Sequence, residues 1–137
     1  MKKYLLVLAI LPMFSFAAQS LDELKTDHPS LCQDIKQEDG YYGDMECAGR
    51  LLDDSETKLT TRVAQIRAEL KKTHAGLYQD AFERDQQSWE VYRKNRCAYV
   101  AIGVDEQSNH YAYRIALCSA SENYKRLATL KGEPSVS

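Results

Sequence analysis

Four cysteines, three histidines and two pairs of adjacent acids are the residues of this 137-residue chain best suited to chemistry. Cys32, Cys47, Cys97 and Cys118 include no C-x-x-C and no haem-attachment C-x-x-C-H, and no two histidines stand at helical spacing. Metal ligation needs such clustering, so the expectation is no metal and no cofactor. His28, His74 and His110 fall in three different segments among polar neighbours, which reads as solvent-facing imidazoles. Asp53 with Asp54, and Asp105 with Glu106, are the carboxylate pairs available for general acid and base work. Adjacent acids on short polar segments are usually solvated, so solvated acids are the expectation. The chain has no G-x-S-x-G, no P-loop and no G-x-G-x-x-G, and the expectation is that it is not an enzyme.

The cysteines gain meaning from the start of the chain. Lys2 and Lys3 precede an apolar run from Tyr4 to Phe16, with Ser15 and Ala17 at the spacing read by a signal peptidase. The expectation is a signal peptide over residues 1–17. The apolar run is shorter than the roughly 20 residues of a spanning helix, and no cysteine follows it closely enough for a lipoprotein anchor. A periplasmic or secreted product with no membrane span follows. In an oxidising compartment the four cysteines pair into two disulfides, and a disulfide-bound sulfur is no nucleophile.

The elements that position these residues are helical. Residues 18–43 are polar and interrupted by Pro29, Gly40 and Gly43, an irregular acidic arm with one short helix between Ser30 and Gln37. Beyond Asp44, a good N-cap type, Leu52, Leu59, Val63, Ile66 and Leu70 recur at helical spacing. A helix over Met45 to Thr73 would be about 42 Å long, ending or bending at Gly76. A second stripe, Tyr78, Phe82, Trp89, Tyr92, Arg96 and Tyr99, predicts a helix from Leu77 to Val100, with Trp89, Tyr92 and Tyr99 in the core. Gly103 to Asn109 reads as a loop, with Asn109 capping a third helix that carries Tyr113, Leu117, Ala120, Tyr124 and Leu127 and stops near Gly132. The fold class is all-α: a three-helix antiparallel bundle, a long helical hairpin plus a returning third helix, with the arm tied to it by a disulfide. The helical domain covers residues 44–132, and residues 133–137 form a flexible tail.

Four cysteines allow three connectivities. The sequential pairs Cys32–Cys47 and Cys97–Cys118 would staple the arm and the second loop, each contributing about 3 kcal/mol by loop-closure entropy. A hairpin also brings Cys47 towards Cys97, so that the rival pairing is physical too.

Charge is uneven along the chain. From Asp22 to Glu56 there are 11 acids and 3 bases; from Thr57 onward there are 13 bases and 9 acids. An acidic arm would steer towards a basic protein partner, or else dock on its own bundle and leave no external field. With net charge −4 over residues 18–137 and no basic, aromatic-interleaved cluster, nucleic acid is not an expected partner. Tyr41 and Tyr42 on the arm are material for a binding hot spot or for a lid over a small core, the lid being the preferred reading. Together with Asp105 and Glu106 of the second loop they are the candidate partner-binding residues.

Residues 86–97, QQSWEVYRKNRC, carry a recognisable pattern: Gln86, Trp89 three on, Tyr92 and Arg93 beyond it, and Cys97 eight after the Trp. This resembles the signature of the small secreted family named after the N-terminal domain of lysozyme inhibitor LprI. Cys47 with Ala48, Glu56 and Leu59 are similar to the family's opening helix, and Cys118, Arg126 and Leu130 to its closing one. The resemblance spans about Cys32 to Leu130. Thr60 and Val63 replace the Asn and Tyr common in the family, and GVDEQSNH lacks the usual Gly-Gly-Ser or Gly-Gly-Thr element. On a helix Trp89, Tyr92, Arg93 and Arg96 share a face next to Cys97, a packing and covalent device first of all; a buried Arg93 would need an acid such as Glu56 or Glu122. The resemblance implies a periplasmic protein-binding module that inhibits lysozyme-type peptidoglycan hydrolases by occlusion, with a basic hydrolase as partner. The alternatives are an immunity protein against a cell-wall-degrading toxin and a non-inhibitory envelope-stress or structural binding protein.

Overall fold

Ser20 starts the first helix: its hydroxyl accepts from the Glu23 amide at 3.3 Å while the Glu23 carboxylate accepts from the Ser20 amide at 2.6 Å. This reciprocal cap closes two amides the helix cannot satisfy itself and launches α1, Leu21–Asp27, which buries Leu21 and Leu24. The computed structural model describes residues 18–74 and 76–134. The signal-peptide reading of residues 1–17 and most of the expected tail, residues 135–137, lie outside these described residues. Two single 3-10 turns, Pro29–Leu31 and Gln37–Asp39, lead into α2, Gly40–Lys72; α3, Gly76–Val100, and α4, Asn109–Thr129, complete the chain before a last 3-10 turn at Leu130–Gly132. There is no strand among the described residues, and none of their helices is long and apolar enough to cross a membrane.

The all-α hairpin-plus-return architecture is as expected, but three features differ. The short helix expected at Ser30–Gln37 is absent, and the arm's helix is α1, announced by the S-x-x-E spacing of Ser20 and Glu23. The long helix begins at Gly40, not after Asp44, because Gly40 adopts φ +54° and joins the 3-10 turn directly to it. That conformation is open to glycine and strained for other residues. Tyr41 and Tyr42 therefore sit on the first turn of α2 and not on the arm. Ser108, not Asn109, caps α4, its Oγ accepting from the Tyr111 amide at 3.1 Å.

Helices α2 and α4 run parallel and form the main packing pair, with α3 antiparallel against them. Tyr41 meets Tyr113, Leu51 accepts from Tyr124, and Arg62 donates to Leu130, which fixes the register from one end to the other. The core is divided. Leu21, Leu24, Cys32, Cys47, Leu51 and Ala120 form one apolar cluster under the arm; Leu59, Val63, Ile66, Leu70 and Leu130 form another at the far end. Between Leu51 and Leu59, one helical turn from each, stands Ser55, fully buried, opposite the equally buried Asn123.

The disulfides are Cys32–Cys47 and Cys97–Cys118, with Cα separations of 5.4 and 5.5 Å, the usual span. The first holds the arm to α2. Gly43 permits the same approach, since a Cβ there would stand 2.8 Å from both the Asp39 Cβ and the Ile35 Cγ2. Gly43→Ala is therefore expected to lose about 1–3 kcal/mol by overpacking, read as a lower urea midpoint; an unchanged midpoint would mean that Ile35 yields freely.

Candidate functional site

The signature residues face inward. Gln86 is buried, and its Oε1 accepts two bonds from Arg126, from Nε at 3.2 Å and from one terminal nitrogen at 3.1 Å. The same terminal nitrogen donates to Asp85 at 2.7 Å. Arg93 donates to the Asn123 Oδ1 at 2.6 Å, and Asn123 in turn donates to the Ser55 Oγ at 3.0 Å. Both guanidiniums lie over the Trp89 ring, Arg93 at 5.2 Å and Arg126 at 5.7 Å from its centroid. The motif is thus a polar layer that crosses the domain between its two apolar clusters, each buried group satisfied.

This layer corrects the sequence reading of α3. Tyr92 and Tyr99, expected in the core, are 51% and 66% exposed, and Tyr78 is exposed as well. The inward stripe is Phe82, Gln86, Trp89, Arg93 and Cys97, of which only Gln86 and Cys97 are fully buried. Because two of its inward positions are polar, following the aromatics rotates the face by one position. Arg93 is partly exposed and 3.9 Å from Glu56, while Glu122 instead pairs with Lys125 at 3.1 Å. The deeply buried cation is Arg126, which the stripe reading passed over. Ser55 and Asn123 were also missed, although a small polar residue interrupting an apolar stripe at four-residue spacing was the available signal.

A second polar cluster ties the arm to the bundle. The Tyr124 hydroxyl donates to Asp54 Oδ2 at 2.7 Å, Lys58 reaches the same oxygen at 2.7 Å, and His28 stacks on the Tyr124 ring at 3.8 Å. Asp54 and His28 were expected to be solvated, and both are partly buried here. Burial pushes the Asp54 carboxyl up, but the bonds from Lys58 and Tyr124 outweigh it and hold it below the usual range. Burial, and then Lys58, lower His28 from its ordinary 6.5 against the pull of Asp54 and Asp27. The folded protein therefore favours neutral His28, so its contribution is complete above pH 6.5 and is lost as pH falls through 6.5 towards the depressed value. Urea midpoints are expected to decline from pH 7 to 5.5, and His28→Gln to flatten that decline. Equal slopes in both proteins would remove the assignment.

The candidate partner-binding residues gather at one end. Tyr41 packs its ring against Tyr113, centroids 5.8 Å apart, and its hydroxyl lies 3.4 Å from His110 Nδ1. Tyr42, expected to help form a lid, is instead 77% exposed, because the first turn of α2 points it outward. Asp105 and Glu106 lie in the exposed loop leading into α4, beside that cluster. Asp105 has a structural duty there, accepting from the Gln107 amide at 3.0 Å and, through its carbonyl, from the Ser108 hydroxyl at 2.6 Å. The loop is further pinned at its base by Cys97–Cys118. Among the described residues no three of His, Cys, Asp and Glu are grouped to hold a metal ion.

The charge gradient persists in space. Arg50 binds Asp34 with two bonds of 2.6 and 3.0 Å and also takes Glu46 at 2.6 Å. It is the one ion pair between arm and bundle among the described residues, and Asp22, Glu23, Asp39 and Asp44 remain outside any salt bridge there. The arm thus docks through Cys32–Cys47, apolar contacts, the His28–Tyr124 stack and Arg50, while its remaining acids face solvent. At the opposite end Arg67 and Glu83 join α2 to α3 with bonds of 2.6 and 2.8 Å.

A family model described as Lysozyme inhibitor LprI matches residues 32–130. No curated protein and no solved structure is significantly similar to the chain.

Proposed function

The chain belongs to the lysozyme inhibitor LprI family, and from that premise we propose that it is an exported module that blocks a lysozyme-type peptidoglycan hydrolase by occlusion. The observation that carries this reading is the family match, which runs from the first cysteine to Leu130, the buried residue that opens the last 3-10 turn. Export is supported by two disulfides, which persist in oxidising compartments, and by the leader-like residues 1–17. Occlusion is supported by rigidity: the signature residues hold the domain's shape from inside, so they present a fixed surface instead of reacting groups.

The partner is proposed to be basic. Residues 18–137 carry net charge −4, and the arm end concentrates the acids, which accelerates encounter with a cationic enzyme more than it tightens the complex. Tyr41, Tyr42, Asp105 and Glu106 stand at that end as contact candidates.

The test is a cell-wall lysis assay in which a basic lysozyme is mixed with a micromolar excess of the purified secreted protein. Lysis should slow in proportion to inhibitor, and less so at high salt, because steering is screened. Undiminished lysis would remove the reading for those enzymes.

A further inference from the structure

Helix α3 carries an outward face that its fold does not explain. Val91, Tyr92 and Tyr99 of α3 are 60%, 51% and 66% exposed, and Ile102 in the turn just after it is 77% exposed. Positions 92 and 99 are two turns apart, about 10 Å along the helix, so the two rings stand in line with Arg96 between them. The Arg96 guanidinium lies over the Tyr99 ring at 5.8 Å, which holds it at the surface. Tyr and Arg are the residue types that dominate interaction surfaces.

The sign of the local charge identifies the partner's chemistry. In a chain that is net acidic, residues 91–104 contain Arg93, Lys94 and Arg96 and no acid at all. Arg93 is committed inward to Asn123, whereas Lys94 and Arg96 form no ion pair among the described residues. A second copy of the chain is a poor occupant, since a two-fold contact would set these cations against each other. A glycan-cleaving hydrolase is a good one. Its cleft binds sugar rings and holds two carboxyl groups roughly 5–10 Å apart, and a guanidinium flanked by aromatic rings satisfies both features.

We propose that the ridge Tyr92–Arg96–Tyr99 on α3 is the element that enters the carboxylate-bearing sugar cleft of the target hydrolase, with Arg96 facing its acids. This rests on the inhibitor reading above and adds to it the inserting surface. The acidic loop at Asp105 and Glu106 directly follows the ridge, and so meets the basic rim while the cationic ridge meets the acidic cleft. The molecule is then complementary in sign to a basic enzyme with an acidic cleft at both places.

The experiment measures binding of the secreted protein to a basic lysozyme by calorimetry, with and without saturating tri-N-acetylchitotriose, the sugar that fills the cleft. Arg96→Glu and Tyr99→Ala are each expected to weaken binding tenfold or more, and the trisaccharide to abolish it. Lys72→Glu, at the opposite end of the bundle, should stay within twofold of the parent. Undiminished binding by either ridge variant, or by the sugar-filled enzyme, would overturn the proposal while leaving the inhibitor reading intact. Failure of the parent protein to bind would instead remove that reading, and this one with it. Tyr99 faces outward and Arg96 is partly buried, so an unchanged melting temperature is expected for Tyr99→Ala; if Arg96→Glu melts lower, Tyr99→Ala together with trisaccharide competition on the parent chain decides.

Discussion

Replacing Cys97 and Cys118 together by alanine should lower the stability of the protein by about 3 kcal/mol, the loop-closure entropy returned to the unfolded chain for a separation of 21 residues. For a domain of this size the melting temperature should fall by about 12 °C, at roughly 4 °C per kcal/mol. The same arithmetic applies to Cys32–Cys47, whose separation is 15, so the two double variants should melt alike. Their effects on inhibition should differ. Cys97 joins the end of α3, next to Tyr99 and the acidic loop, to the middle of α4, and without that tie the ridge and loop rest on non-covalent packing alone. At a temperature where both variants are folded, the Cys97 and Cys118 variant should inhibit more weakly than the Cys32 and Cys47 variant. Equal inhibition would place the working surface away from α3. A loss below about 1 kcal/mol in thermal unfolding would show that the unfolded chain is already confined without the bridge.

Legibility in the sequence followed the apolar spacing closely on α2, where Leu59, Val63, Ile66 and Leu70 are all buried as the stripe predicts. It failed on α3 for a physical reason. Its inward stripe mixes Phe82 and Trp89 with Gln86, Arg93 and Cys97, while Tyr92 and Tyr99 face solvent, so following the aromatics misleads. The sequence favoured the sequential cysteine pairing without excluding Cys47 with Cys97, and only the packing of α4, which sets Cys118 against Cys97, decides between them. Helix α1 was missed although Ser20 and Glu23 spell its cap, since only Leu21 and Leu24 mark an apolar face and seven residues are too few for a period to emerge. The motif itself was visible, but its duty was not. Gln86, Trp89 and Arg93 become a single layer only when α4 supplies Asn123 and Arg126, some 30 to 40 residues away. Tyr41 and Tyr42, read by preference as a lid on the arm, stand instead on the first turn of α2, where a glycine with positive φ starts the helix early and leaves Tyr42 exposed.

Arg126 provides the sharpest check on that layer. Its side chain is buried to 6% exposure, with its Nε and one terminal nitrogen on the Gln86 Oε1 and that terminal nitrogen also on Asp85. Arg126→Met keeps a linear stem but removes every donor, leaving the buried Gln86 oxygen without a partner. An orphaned buried acceptor costs about 1–3 kcal/mol, and loss of the cation over Trp89 adds about 1 kcal/mol. Asp85 is 65% exposed, so its lost partner is replaced by water and adds little. The expected total is about 3 kcal/mol, measured by urea unfolding. Gln86→Leu alone should cost a similar amount, because it strands the guanidinium instead. Combining the two removes both polar partners at once, and the double variant should be little worse than either single one, a coupling of about 2 kcal/mol or more. Simple additivity would mean that Gln86 and Arg126 do not depend on each other, and that the signature residues hold the bundle by packing alone.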